Sequence, residues 1–405
     1  MKINKQEKKI SIIALLTVLI TVLIIIYSEE SFQAALEGLK VWWEIVFPSL
    51  LPFFIIAEVL MGLGVVHFLG ALLEPLMRPL FKVPGVGAFA MAMGLASGYP
   101  IGAKITANLR QKNLCTKTEG ERLLSFTNTA DPLFMIGAVA VGMFHRADIA
   151  IIIAGAHYIS SILIGFVMRF HRGNEKEIEH KNERYNNIFV NAFYQLITAR
   201  KNDGRKLGEL LGDSVRESIN TLLLVGGFII LFSVITKIVI VAGFLHYLIY
   251  IIGYIFKPFG LSNNLVLPLI SGFFEITNGA NIASQSSATL LEQLIIVNAI
   301  IAWSGLSVHA QVATMINGTD IKLKPYIYAR ILQSIFAGFI TIILYKLLSN
   351  KTLAVFTTVL KEENFPYLNI INLFKISISI LLLMIILSTI IFIIKKIKVI
   401  FFHIK

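Results

Sequence analysis

Two short apolar stretches of the sequence carry polar and helix-breaking residues that a membrane helix ordinarily lacks. The first, GLASGYPIGAK at residues 94–104, holds three glycines, a proline and a lysine. Pro100 interrupts a helix, and the amide groups freed by an interruption attract anions. Gly94 follows the small-xxx-small spacing of close helix packing, whereas Lys104 needs a partner at this depth. The expected solute-binding residues of this stretch are Ser97, Gly98, Tyr99, Pro100, Gly102 and Lys104.

The second stretch, FFEITNGANIASQSSA at residues 273–288, places a carboxylate, Glu275, between apolar flanks. An ionisable side chain inside a membrane segment indicates a functional site. The alternative is that Glu275 faces water in a loop at the membrane surface. The expected solute-binding residues here are Glu275, Thr277, Asn278, Gly279 and Asn281.

Two apolar runs with interruptions complete the candidate site. Residues 123–139 read LLSFTNTADPLFMIGAV and residues 298–314 read NAIIAWSGLSVHAQVAT. Unwound backbone with short polar side chains at mid-membrane is how discontinuous helices coordinate a solute or a coupling ion. For the two serines alone, hydrogen bonding between helices is the alternative. The expected solute-binding residues of these runs are Asn128, Thr129, Asp131, Ser304, Ser307 and His309.

The familiar signatures of catalysis and metal binding do not occur in the sequence. It contains no His-Glu-x-x-His, no Cys-x-x-Cys and no Gly-x-Ser-x-Gly. The phosphate-loop pattern also fails, because Ala103 separates Gly102 from Lys104. We therefore expect a protein that is not an enzyme, with no cofactor and no metal site. Cys115, His67 and His157 are interpreted as packing residues.

The composition indicates a polytopic membrane protein. Of 405 residues, 56% are hydrophobic and 15% are charged, whereas soluble proteins have about 25% charged residues. The net charge of +12 comes mostly from basic residues beside apolar runs, as the positive-inside rule predicts, and not from a nucleic-acid site. Spans of about 17–25 residues are predicted at 10–27, 41–65, 122–145, 149–170, 216–241, 289–317, 326–348 and 371–394.

The two unusual stretches are predicted to form re-entrant hairpins at 86–109 and 265–288. If residues 86–109 crossed the membrane, the basic residues at 110–122 would lie on the other side of the membrane from Arg78 and Lys82. A hairpin keeps all of these basic residues on the cytoplasmic side. Segments 66–82 and 244–258 are predicted to be interfacial helices. Glu58 lies within the second span, where we expect it to pair with a basic group.

The basic residues also orient the rest of the chain. The charged linker, 171–215, is predicted to be cytoplasmic, and its part RKLGELLGDSVRES is typical of an amphipathic surface helix. Lys322, Lys324 and Arg330 are likewise assigned to the cytoplasm. The N-terminal run is longer than a signal-peptide core and lacks a cleavage site, so it is interpreted as a retained helix. Both termini are then cytoplasmic.

These predictions combine into an all-α polytopic membrane protein with about eight transmembrane helices and two re-entrant hairpins. The halves repeat one pattern in opposite orientation, which is an inverted repeat typical of secondary transporters. The predicted divisions are an N-terminal transmembrane helix at 1–30, a first repeat at 41–170, the linker at 171–215, a second repeat at 216–348, and a C-terminal helix with a basic tail at 349–405.

Several long motifs are similar to a known family. The motifs are the run from VWWEIVFPSLLPFF to GLASGYPIGAK, then ERLLSFTNTADPLFMIGAVAVGMFH, SINTLLLVGGFIILFSVI and SGFFEITNGA. With these motifs, the chain resembles the sporulation integral membrane proteins of the YlbJ (SpoVV) type over about residues 40–350. That family carries the nucleoside-recognition, or Gate, domain, which it shares with concentrative nucleoside transporters. The resemblance implies a Gate-like repeat in each half.

The resemblance also implies a function and a location. It implies transport of dipicolinic acid across the outer forespore membrane, which is needed for the spore cortex and core. Lys104 and the N-termini of the broken helices suit the two carboxylates of this dianion, and Tyr99 can stack on its ring. The negative charges of Asp131 and Glu275 do not suit a dianion, unless these residues bind a coupling proton or sodium ion or hold Lys104 in place. The alternatives are an ion-coupled nucleoside or other small-solute transporter, or a scaffold of a sporulation membrane complex. Expected partners are the solute, the coupling ion, the bilayer and further copies in a homo-oligomer.

Overall fold

A computed structural model describes residues 5–172, 187–256, 258, 260–348, 379 and 382–394, and these residues form helices and connecting turns without a strand. The α-helices of this part of the chain are α1 (Lys5–Ile26), α2 (Ser28–Val41), α3 (Phe47–Gly62), α4 (Val65–Phe81), α5 (Gly87–Ser97), α6 (Ile101–Gln111), α7 (Lys117–Thr127), α8 (Ala150–Met168), α9 (Ile188–Asp203), α10 (Leu207–Val241), α11 (Phe244–Phe256), α12 (Val266–Phe274), α13 (Ile276–Ser284), α14 (Leu290–Trp303), α15 (Gly305–Met315), α16 (Leu323–Leu348) and α17 (Leu382–Ile394). The all-α membrane fold expected from the sequence is confirmed.

Four helical stretches of the described residues are long and apolar enough to cross a membrane. They are Ala147–Met168, Leu207–Val241, Leu290–Met315 and Leu323–Leu348. They correspond to the predicted spans at 149–170, 216–241, 289–317 and 326–348. The predicted span at 371–394 lies outside the described residues, apart from residue 379 and α17.

The other predicted spans are bent or broken. Helix α1 meets Ser28–Glu44 at 100°, and Leu50–Gly62 meets Val65–Phe81 at 79°. Each bent pair counted as one span brings the number to six in the described part of the chain. The second bend occurs at Gly64, whose φ of +83° suits glycine. The predicted span 122–145 is divided between α7 and a π-helical segment, Leu133–Met143.

Both predicted hairpin segments consist of two short helices that pack side by side. Helices α5 and α6 are joined by residues 98–100, and α12 and α13 are joined by Glu275. A Cβ atom on Gly94 would lie 3.6 Å from Cα of Gly102, and one on Gly279 would lie 2.3 Å from Cα of Gly272. The glycines therefore allow the two arms of the second hairpin to touch, whereas between the arms of the first a Cβ atom on Gly94 would make an ordinary van der Waals contact.

The helix after each hairpin begins and ends in the same way in both halves. Helix α7 begins with a reciprocal cap between Thr116 and Glu119, and α14 begins with the same cap between Thr289 and Glu292. Each cap satisfies two backbone donors at a helix start. Helix α7 ends at the interruption 128–131, and α14 ends at Ser304.

The linker differs from its prediction. Residues 205–218 do not form a separate surface helix, because from Leu207 they belong to α10, which continues for 35 residues. Instead, α9 exposes a row of large apolar side chains that includes Phe189 and Val190. Helix α9 packs on α4 through the rings of Phe193 and Phe68, whose centroids are 5.0 Å apart.

Candidate functional site

The tip of the first hairpin contacts both halves of the protein. Gly98 has a φ of +78°, and a Cβ atom there would lie 2.6 Å from Oδ2 of Asp131, so the position requires glycine. The next residue, Tyr99, donates a hydrogen bond from its hydroxyl to the carbonyl of Ile301, 3.0 Å away on α14. The tip is therefore anchored to the first interruption and to the second half.

At the first interruption, side chains hydrogen-bond to backbone groups of the interruption and of the helices beside it. Oδ1 of Asp131 accepts a hydrogen bond from the amide of Phe134 at 2.8 Å. The hydroxyl of Thr129 donates to the carbonyl of Gly94 at 2.9 Å, and the amide of Ala130 donates to Nε2 of His157 at 3.0 Å. The buried His157 thus has a packing role at the interruption.

The tip of the second hairpin is a buried carboxylate. Glu275 is 5% exposed, which excludes the alternative of a water-facing loop. Its Oε2 accepts a hydrogen bond from the amide of Asn278 at 2.8 Å and so caps the N-terminus of α13. A Cβ atom on Gly305 would lie 3.2 Å from Cα of Glu275, so this tip abuts the second interruption.

The second interruption is a left-handed turn. Ser304 and Gly305 have φ of +72° and +70°, and for serine this conformation is uncommon. The ring of His309 approaches the carbonyl of Gly305 with Nδ1 at 2.7 Å and packs against Trp303, with ring centroids 4.3 Å apart. His309 therefore stabilises the start of α15.

A central cavity of about 570 Å³ lies where the tips and interruptions meet. Five predicted site residues line it together, and they come from both halves: Tyr99, Asp131, Glu275, Thr277 and Ser307. Its lining includes three carboxylates, since Glu44 joins Asp131 and Glu275, and it includes no Lys, Arg or His among the described residues. The cavity can therefore hold a cation, a proton or a polar solute beside an apolar wall.

The other predicted residues surround this cavity without lining it. Gly102 packs against the carbonyl of Thr127, because a Cβ atom there would lie 2.3 Å from it. Asn278 and Asn281 line a smaller neighbouring cavity. The remaining predicted residues that lie behind the walls are Ser97, Gly98, Pro100, Lys104, Asn128, Thr129, Gly279, Ser304 and His309.

Lys104 is held away from the central cavity by an ion pair. Its Nζ lies 3.0 Å from Oε1 of Glu58 on α3 and 3.0 Å from the hydroxyl of Thr221 on α10. It also lies 5.5 Å from the ring centroid of Phe54. Lys104 and Glu58, each of which was expected to have a charged partner, therefore pair with each other. Through these contacts Lys104 attaches the first hairpin to α3 and α10.

Comparison with known proteins places the chain in a family. The family model described as Gate, nucleoside recognition, matches residues 43–174 and 222–349. The chain belongs to the Gate family. A relative of this Gate protein is the sporulation integral membrane protein YlbJ of Bacillus subtilis (strain 168), which is 46% identical over 344 residues, 85% of this chain and 84% of the relative.

Solved structures of CNTnw are also similar to this Gate protein. One is a substituted variant in an outward-facing state, and the other is in an inward-facing, substrate-bound state. Each has 13% sequence identity and a TM-score of 0.37. The alignments cover 84% and 85% of this chain, respectively, and 88% of each CNTnw chain.

Sequence reasoning missed several site residues of this Gate protein. Gln311 is buried and lines the central cavity, and its side chain makes no hydrogen bond within the described part of the chain. Its polar side chain in an apolar helix was the available signal. Glu44 was missed because it lies in a π-helical segment, Trp42–Val46, beside apolar residues.

Arg330 is buried inside the protein and is not a surface residue of a cytoplasmic segment. Arg330 is 0% exposed, and its guanidinium donates to the carbonyls of Ser125 and Asn128. Its position near Lys322 and Lys324 made it resemble a positive-inside residue. In the structure it satisfies carbonyl groups that the end of α7 leaves without helical partners.

Proposed function

We propose that this chain transports a small organic anion, dipicolinate, through the central cavity during endospore formation. The observation that carries the proposal is the cavity itself, which is lined from both halves at both hairpin tips. Solute sites between discontinuous helices at mid-membrane are typical of secondary transporters. The relationship to a sporulation integral membrane protein supports a role in sporulation, and we propose dipicolinate as the cargo and the outer forespore membrane as the location on the family resemblance.

In this proposal the two repeats, 41–170 and 216–348, lie in opposite orientations, and their hairpins enter the membrane from opposite sides. The arms of the hairpins have 11 and 9 residues. At 1.5 Å per residue they are about 14–16 Å long, half of the hydrocarbon thickness. The tips then meet at mid-membrane. The chain works as a transporter without enzymatic activity, and a homo-oligomer is its proposed assembly.

The charge of the cavity determines how a dianion can enter it. Asp131 and Glu275 repel a dianion unless positive charge accompanies it. We therefore assign the coupling proton or sodium ion to these two carboxylates. Tyr99 and Phe134, which also line the cavity, present aromatic surface to the pyridine ring.

A second candidate function is transport of a neutral solute such as a nucleoside. It is favoured by one observation, namely that the lining includes carboxylates and no basic residue among the described residues. A nucleoside carries no charge to be repelled and offers hydroxyls to Asp131 and Glu275. The family description, nucleoside recognition, is consistent with this candidate.

Uptake into proteoliposomes tests the two functions against each other. The purified chain is reconstituted and supplied with radiolabelled dipicolinate or uridine under a proton or a sodium gradient. We expect saturable dipicolinate uptake that Glu275→Gln abolishes. Glu209→Gln, an exposed carboxylate on α10, is the control and retains uptake.

The outcomes separate the candidates. Saturable uptake of uridine without dipicolinate selects the second function. Uptake of neither solute under either gradient rejects both and favours the scaffold. Each variant must elute as the wild type does in size-exclusion chromatography, so that lost uptake is not lost folding.

A further inference from the structure

A second cavity adjoins the central one. It encloses about 230 Å³ between α2, α10 and the second hairpin, and we call it the vestibule. Ile229, Glu275 and Thr277 line both cavities. The vestibule and the central cavity therefore share a wall at these three residues. The other polar lining residues of the vestibule include Glu37, Lys237, Ser271, Asn278 and Asn281.

The vestibule contains hydrogen-bond donors that lack acceptors. Oγ of Ser271 is buried and has no hydrogen-bond partner among the described residues. In the same part of the chain, the ammonium of Lys237 and the side-chain amide of Asn278 have none either. The amide oxygen of Asn281 accepts from Gln285 at 3.2 Å, which leaves its NH₂ group as a fourth donor. The hydroxyl of Ser271 is the buried member of this set, and a buried polar group without a partner is costly. Asn278 is half-buried, and Lys237 and Asn281 are exposed, so these three offer further donors to a ligand rich in acceptors.

The vestibule also contains two carboxylates, which limit where an anion can lie. Glu37 is exposed at its outer edge. Glu275 lies at the inner end of the vestibule. The carboxylate of Glu275 accepts a hydrogen bond from the backbone amide of Asn278 at the start of α13, where the helix dipole offsets negative charge. An acceptor group of the ligand is therefore best placed between Lys237 and Ser271.

The vestibule lies at the end of α10 that is farthest from the linker. Lys237 is four residues before the end of this helix at Val241. The predicted topology puts the linker in the cytoplasm, so the vestibule is on the opposite side of the membrane.

We propose that the vestibule is a second binding position for the transported solute, which it holds by a carboxylate on the non-cytoplasmic side. From there the solute passes Ile229 and Glu275 into the central cavity. This inference rests on the proposed transport of an organic anion and adds a site to it.

Cysteine labelling in the reconstituted full chain tests the proposal. Cys115 is the single cysteine of the sequence and is buried, so Cys115→Ala provides a cysteine-free parent. Asn281→Cys places a thiol in the vestibule. Ser287→Cys, exposed and outside the vestibule, is the control. The reagent is a membrane-impermeant anionic thiosulfonate, applied with and without dipicolinate, and uptake by the parent is measured in the same vesicles.

We expect saturating dipicolinate to slow labelling of Asn281→Cys at least fivefold and to leave Ser287→Cys unchanged. Adding Lys237→Gln should raise the half-protecting concentration about fivefold, because a hydrogen bond to a charged group is lost.

Each other result overturns the inference. Equal labelling of Asn281→Cys with and without dipicolinate, in a parent that transports it, removes the vestibule site and leaves the proposed function intact. Protection that Lys237→Gln does not weaken assigns the effect to the central cavity alone. A parent that takes up no dipicolinate under either gradient overturns the proposed function and this site together.

Discussion

The hydroxyl of Tyr326 lies 3.0 Å from Nδ2 of Asn128 and 3.3 Å from the hydroxyl of Ser304, so it joins the two helix interruptions. One turn later on α16, the guanidinium of Arg330 lies 5.2 Å from the centroid of the Tyr326 ring. It also donates to the carbonyl of Asn128 at 3.1 Å. A single buried turn of α16 therefore connects the interruption of the first half to that of the second.

Replacing Tyr326 with phenylalanine should uncouple the interruptions. Tyr326→Phe keeps the ring beside Arg330 and removes both hydrogen bonds, each worth about 0.6 kcal/mol between membrane helices. We expect a destabilisation of about 1 kcal/mol and a lower transport Vmax with little change in KM, because Tyr326 does not line the central cavity. Thermal unfolding in detergent and uptake kinetics measure the two effects.

The matched control for this variant lies on the same helix. Tyr328→Phe removes a hydroxyl from a side chain that is 60% exposed, and it should leave both quantities unchanged. Equal effects of the two substitutions would show that the hydroxyl of Tyr326 does not connect the interruptions.

The Lys104–Glu58 pair should behave as one unit. The side chains are 13% and 21% exposed, so removal of either partner leaves a charge in a largely apolar environment. Glu58→Gln or Lys104→Met alone should destabilise the protein by about 2 kcal/mol, below the 3–5 kcal/mol of fully buried pairs.

The double variant should be more stable than the sum of the single changes predicts, because no isolated charge remains. A double-mutant cycle of thermal unfolding measures this coupling. Additive effects within about 0.5 kcal/mol would contradict the pair.

The interruptions were predictable because their signals are local. Pro100 and the run of polar residues at 127–131 stand inside apolar stretches, and each limits the backbone where it occurs. The contacts of Tyr326 are not local, since Asn128 is 198 residues away. Tyrosine near a helix end is common at membrane interfaces, so its type alone gave no sign of these partners.

The partner of Lys104 and the bends show a second limit. Residue types indicated that Lys104 needs a partner, but only the packing of α6 against α3 identifies Glu58. The 79° bend at Gly64 falls at the predicted boundary between the span at 41–65 and the interfacial helix at 66–82, but the composition of an apolar run does not give the angle. The cavity was predicted in part, because hairpin tips can be read from sequence and their meeting point cannot.

The glycines of the first hairpin should not tolerate alanine. A Cβ atom on Gly94 would lie 1.7 Å from the carbonyl oxygen of Thr127, and backbone cannot move away as a side chain end can. Gly94→Ala should therefore prevent close packing of α5 on α7 and reduce the yield of folded, monodisperse protein severalfold. Fluorescence-detected size-exclusion chromatography measures that yield.

Gly227→Ala is the control for this substitution. A Cβ atom on Gly227, within α10, would have nothing within 4 Å. Alanine there should be neutral or stabilising by about 0.5–1 kcal/mol, because glycine is a poor helix former. A normal yield of Gly94→Ala would show that α5 does not approach Thr127 this closely.

An ion pair outside the membrane-spanning segments should make one connection between the halves sensitive to pH. Nε of Arg110 lies 2.7 Å from Oδ1 of Asp320, and Nη2 lies 3.0 Å from Oδ2. The pair links the end of α6 to the loop before α16. These hydrogen bonds lower the pKa of the Asp320 carboxyl below its ordinary value.

Because the folded pKa of Asp320 is lowered, its stabilising effect is complete above the unfolded pKa of about 3.9 and is lost as the pH falls through the lower folded value. Asp320→Asn should therefore speed hydrogen exchange of residues 112–116 and 317–322 at pH 7. The difference from wild type should shrink as the pH falls below the unfolded pKa of about 3.9 and through the lower folded pKa of Asp320, where the wild-type carboxyl becomes protonated. A difference that is as large at that pH as at pH 7 would mean that the Asp320 charge does not hold this loop.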